Sequence, residues 1–181
     1  MPRTERSMSG RHSVQLLLLT PPDRVLLAEA VSLLQVPLGA DISITGDTEC
    51  SVPWDIGREQ RRADLVVAEC VAPHRAHGIV VGLLGDDLFV PGLNFVFGLA
   101  DPPRKAAVVS WARLLSPDPS TSALRLAKEV VHEVGHLWGL GHCSESTCVM
   151  HFSNSLAETD AKGLGFCHRC GMRVGAAAPN R

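Results

Sequence analysis

The chain has 181 residues, 45% of them hydrophobic, with 17 Lys and Arg against 19 Asp and Glu. That length and apolar content suit one domain with a real core. A formal net charge of -2 gives no global footprint for nucleic acid or an anionic membrane surface, so neither is expected as a partner. Residues 1–12 are polar and mixed in charge and read as a flexible N-terminal arm. The apolar run 14–19 reads as a strand buried on both faces. It is too short for an export signal or a membrane span, so a cytoplasmic protein is expected. Pro21-Pro22-Asp23 turns the chain, and Asp23 is placed to cap a helix over 24–36. Residues 40–45 alternate as a second strand with Ile42 and Ile44 inward. The charged start and length of 60–71 favour a helix. From Gly78 the pattern turns to strands at 79–84, 88–90, 94–99 and 106–111, with a turn at Gly85-Asp86-Asp87. Pro117, Pro119 and the hydroxyl cluster 120–122 supply a break and caps for a helix reaching about Leu140, with Leu124, Ala127, Val131, Val134 and Trp138 as its apolar stripe. Beyond it only 154–162 reads as a short helix, and the chain from Gly171 dwindles into a tail. About five strands and two helices before the long helix make an α+β order.

That long helix carries His132-Glu133-Val134-Gly135-His136, followed by Gly139 and His142. Residues four apart share a helix face, so His132 and His136 can aim ring nitrogens at one ion, with Glu133 beside them to handle protons. Zinc takes three protein nitrogens and leaves a fourth position open when a site is catalytic. His142 lies too far along the axis to join from a straight helix. Gly139 supplies the left-handed turn that brings His142 back. Glu133 is then the general base for a zinc-bound water attacking a peptide carbonyl.

Six cysteines in a chain expected in a reducing compartment favour metal binding over disulfides. Cys143 and Cys148 with Cys167 and Cys170 complete a tetrahedral set, whereas Cys167-His168-Arg169-Cys170 alone could be a redox pair. Cys50 and Cys70 stand apart and read as small buried hydrophobes. His74, His77, His151 and His168 read as satisfied or exposed. Lys162, Arg169, Arg173 and Arg181 read as solvated surface, because no aromatic residues interleave with them.

With Met150 eight residues past His142 and Cys143 directly after it, the block from His132 to Cys170 is similar to the archaemetzincin (archaelysin) branch of the metzincin zinc peptidases. The segments 87–89 and 94–98 share that likeness. The resemblance implies a twisted mixed sheet above a cleft, with an upper subdomain over 13–139. Below it comes a small zinc-stapled subdomain over 140–175, then a tail over 176–181. It implies two zinc ions, one catalytic on His132, His136 and His142 and one structural on Cys143, Cys148, Cys167 and Cys170. Met150 becomes a Met-turn packed under the ligands. A peptide substrate is implied, extended against an edge strand at 94–99.

Metzincin branches that use a tyrosine near the zinc have no counterpart here, since the chain contains no tyrosine. Neighbours in an extended segment point to opposite sides, so the adjacency of His142 and Cys143 predicts mechanically coupled sites. Two other functions remain open on the residues alone. One is a non-catalytic zinc protein that uses this fold as an interaction module. The other is a thiol redox protein.

Overall fold

The computed structural model of the chain describes residues 13–46 and 48–177. The expected arm at 1–12 and residues 178–181 of the expected tail lie outside the described residues. In chain order the elements begin with β1 (Ser13–Leu18), α1 (Arg24–Leu38), β2 (Asp41–Thr45), β3 (Trp54–Asp55) and β4 (Gln60–Arg62). A helical stretch follows as α2 (Ala63–Leu65), wider π-helical turns over Val66–Val71 and a 3-10 turn at Ala72–His74. Then come β5 (Ile79–Leu84), β6 (Leu88–Phe89), β7 (Gly98–Asp101), β8 (Ala106–Ser110), α3 (Pro119–Leu137), α4 (Leu156–Ala161) and α5 (His168–Ala177).

The main sheet has the order β2-β1-β5-β8-β7. Its first four strands are parallel and β7 pairs antiparallel with β8, so the sheet is mixed, as an α+β reading requires. β1, β5 and β8 lie inside the sheet and carry apolar side chains to both faces. One face meets α1 and α3 through Leu16, Val81, Leu34, Leu126 and Val130. The other meets the helical stretch at 63–71 through Leu17, Val80, Val108, Val66 and Val67. Asp23 caps α1 as expected, its Oδ1 accepting from the backbone N–H groups of Val25 and Leu26.

Four expectations need correction. β2 is an edge strand, so Ile42 is only half-buried and Ile44 is 48% exposed instead of inward. Residues 60–62 form β4 in a second, three-stranded sheet ordered β3-β4-β6, and the helix begins only at Ala63. The segment at 94–99 is not one strand: it enters the main sheet at Gly98, while Val96 makes an isolated bridge to Leu88. The chain after Gly171 does not dwindle, because α5 continues to Ala177. Among the described residues no helix is long and apolar enough to cross a membrane.

Candidate active site and thiolate cluster

α3 sits against the sheet with most of its surface covered, and twelve of its residues from Ser122 to Gly135 are buried. Asp118 caps its start by accepting from the N–H groups of Ser120 and Thr121. Its end is set by Gly139 at φ 86, a backbone angle that favours glycine. There the Gly139 N–H reaches His136 O at 2.9 Å and the Leu140 N–H reaches Gly135 O at 2.9 Å. The chain turns back, and His132, His136 and His142 bring nitrogen atoms within 4.8 Å of one another.

Second partners fix the ring orientations. His132 Nδ1 donates to the Val149 carbonyl and His136 Nδ1 to the Leu140 carbonyl, each at 2.8 Å. A proton on Nδ1 leaves Nε2 bare, so the two Nε2 atoms facing each other at 3.1 Å are both lone-pair donors. Burial holds the His132 pKa down at about 3 and lowers those of His136 and His142. Two imidazoles with bare Nε2 atoms and a third ring nitrogen beside them fit a zinc ion.

Glu133 is buried beside them, and burial above all, with repulsion from Glu129, pushes its carboxyl up to about 8, while the charge of Lys162 opposes the rise. One glycine makes its room, and a second makes room for Met150. A Cβ on Gly98 of β7 would lie 2.7 Å from Glu133 Oε1, and a Cβ on Gly135 would lie 2.3 Å from Met150 Sδ. Met150 is fully buried, with its Sδ over Gly135 of α3. A cleft of about 610 Å³ opens here, bounded by the three histidines, Glu133 and residues Phe97 to Ala100.

Cys143, Cys148, Cys167 and Cys170 bring their sulfur atoms within 4.8 Å of one another. Backbone and side-chain donors face them: Glu145 N and Arg169 Nη2 reach Cys143 Sγ at 3.4 and 3.3 Å, and Cys167 N reaches Cys148 Sγ at 3.3 Å. The Glu145 N–H leads in bringing the Cys143 thiol down to about 6, while burial pushes Cys170 up to about 12. Four sulfurs in a closed group, with donors already turned toward them, fit a structural zinc and not an isolated redox pair. Adjacent His142 and Cys143 fall in different clusters.

Lys162 is not solvated as expected. Its side chain is 0% exposed, with the ammonium 3.0 Å from Glu129 Oε1 as an ion contact rather than an aligned hydrogen bond. Thr159 donates to the same oxygen at 3.2 Å. Sequence reasoning missed this pair because its partners lie 33 positions apart in a polar stretch. It also missed Arg58 and Gln60, whose side chains hold the carbonyls of Leu93 and Asn94 at the rim of the cleft. His74 and His77 are exposed as expected, and His151 is satisfied by the Cys143 carbonyl at 2.9 Å.

Sheet, cleft and the two clusters define the class: an α+β protein with a histidine-lined cleft over a cysteine-clustered base. The chain belongs to peptidase family M54, whose model matches residues 74–175. It is 43% identical over 150 residues to an archaemetzincin of Pyrobaculum aerophilum, a match covering 83% of this chain and 94% of that protein. It is 57% identical over 91 residues to an archaemetzincin of Methanopyrus kandleri; that match spans 50% of this chain and only 52% of the relative. The crystal structure of archaemetzincin from Methanopyrus kandleri superposes with a TM-score of 0.84 at 33% identity, covering 96% of this chain and 98% of that one. A zinc-dependent peptidase from Methanocorpusculum labreanum does so with a TM-score of 0.79 at 28% identity, covering 89% and 99%.

Proposed function

We propose that the chain is a zinc-dependent metallopeptidase of the metzincin type, with one ion held by His132, His136 and His142 and a second held by Cys143, Cys148, Cys167 and Cys170. The observation that carries this reading is the pair of bare Nε2 atoms 3.1 Å apart, locked from behind by two carbonyls and set beside a buried carboxyl in an open cleft. Zinc held by these three histidines would supply an acidified water and a Lewis acid for a carbonyl oxygen.

Glu133 takes the proton of the attacking water and delivers it to the leaving amine. Its room over Gly98 keeps the carboxyl facing β7. The outer edge of β7 is unpaired in the sheet order, and Phe97 to Ala100 line the cleft, so an extended peptide adds there as a further strand. Residues 94–97 are poorer candidates, since the Asn94 carbonyl is taken by Arg58 and Gln60. The chain works as one domain over 13–175, with 13–139 above the cleft and 140–175 below. Its free thiols suit the cytoplasm.

The test is a peptide-library survey of wild type beside Glu133→Ala, with zinc content checked in both. Cleavage by wild type, reduced roughly a hundred- to ten-thousand-fold in the variant, is the expected outcome. Equal cleavage by both would remove Glu133 as the base. No cleavage by either zinc-loaded protein would favour a non-catalytic interaction module.

A further inference from the structure

On the face of the sheet opposite the cleft, Cys50 and Cys70 bring their Sγ atoms to 3.1 Å. Neither belongs to the four-cysteine cluster, and both are free thiols. Cys70 is buried in the π-helical stretch Val66–Val71 and Cys50 is half-buried in the connection between β2 and β3. Two sulfurs at this distance are already in contact, roughly 1 Å beyond the S–S bond length. The geometry points to Cys50 and Cys70 as a disulfide-forming site, oxidised by a small-molecule disulfide and distinct from the metal-binding thiols.

The chemistry balances as two exchanges. The thiolate of the more exposed Cys50 attacks one sulfur of the small disulfide, forming a mixed disulfide and expelling one small thiolate. Cys70 then attacks the Cys50 sulfur, closes the ring and expels the second. Two protein thiols are oxidised, one small disulfide is reduced to two thiols, and the two protein protons leave with them. Burial holds the Cys50 thiol up at about 12, so the first exchange is slow near neutrality.

The bond would close a segment with a separation of 20 residues. That segment holds β3, β4, Arg58 and Gln60, the groups that grip the Leu93 and Asn94 carbonyls at the rim of the cleft. The staple therefore constrains the platform of the rim without touching the histidines.

The test incubates the zinc-loaded full chain with excess oxidised glutathione at about pH 8.5, with time points long enough for the slow first exchange at Cys50. Remaining thiols are then blocked under denaturing conditions and the peptides mapped by mass spectrometry without reduction. A Cys50–Cys70 cross-linked peptide, with the other four cysteines recovered as blocked thiols, is the expected result. Recovery of Cys50 and Cys70 as free thiols, a lasting glutathione adduct on Cys50, or cross-links scrambled with Cys143 or Cys167 would each overturn the assignment. As a second readout, the unfolding midpoint of the oxidised wild type should rise by roughly 5 to 10 °C and that of identically treated Cys50→Ser should not. An equal rise in both would also overturn it.

Discussion

The histidine and cysteine clusters adjoin at His142 and Cys143, yet different means hold them. Two of the three histidines stand on a 19-residue helix buried against the sheet. Their positions follow from the same apolar packing that makes the core. The four cysteines come from turns at 143–148 and from the start of α5, in a region whose other regular element is the six-residue α4. Little local structure would hold that region in place without a staple, and zinc bound to four thiolates supplies on the order of 10 kcal/mol in small metal-folded units.

Dependence between the two regions runs mainly one way. His132 donates to Val149, His136 to Leu140, and Met150 fills the space beside Gly135, so the lower region orients histidines that the upper region carries. In return the thiolates ask little of the upper region, since the donors that face them, Glu145, Cys167 and Arg169, all lie in the lower one. The histidine site should therefore fail when the cysteine site is lost, and the cysteine site should survive loss of the histidine site.

The strongest way to break this comparison is Lys162→Met. The Lys162–Glu129 contact joins the end of α4 to α3, and with side chains 0% and 4% exposed its loss leaves Glu129 as a buried, unbalanced charge. Urea denaturation should register a cost of about 3–5 kcal/mol, most of it recovered by adding Glu129→Leu. Next is Gly135→Ala, which forces Met150 away from α3. It should cost about 1–3 kcal/mol and lower peptidase activity more than Gly→Ala at the open Gly171, measured side by side.

A pH experiment separates the regions further. In protein whose histidine site has been emptied while the thiolate site stays loaded, Glu133 titrates at about 8 against an ordinary 4.5. The native state holds that proton more tightly, so its contribution is full below pH 4.5 and is lost as pH rises through 8. His132, held down at about 3 against 6.5, works in the opposite sense and loses its contribution as pH falls below 6.5. Between 6.5 and 8 the carboxyl acts alone. Stability should fall there by up to about 1.4 kcal/mol per pH unit, and Glu133→Gln should flatten the slope. The smallest effect is expected for Asp118→Ala, which removes a cap from the upper region only: about 1 kcal/mol in denaturation, with zinc content unchanged at both sites.

What could be read from residues alone divides along similar physical lines. His132, His136, Gly139 and His142 were legible because helix period and a left-handed turn are local properties, carried by neighbours in the chain. The cysteine set was legible from ligand chemistry and spacing. Gly98 and Gly135 were not, since each is required by a side chain that only the folded sheet and turn bring near it. Lys162 looked like surface because its polar neighbours hid a long-range ion contact. Residues 60–62 and 94–97 were misread where a small second sheet, formed by long-range pairing, overrode local preference. The alanine-rich end of α5 was taken for a tail, although alanine is the best helix former when something anchors the helix start.

The most direct measurement of the one-way dependence is a calorimetric zinc titration of metal-stripped wild type beside the Cys167→Ser, Cys170→Ser double variant. Wild type should bind two zinc ions, filling the thiolate site first. The variant should lose that site and bind zinc at the histidine site at least about 10-fold more weakly, the loss typical when the groups orienting metal ligands are disturbed. Unchanged affinity at the histidine site would contradict the account.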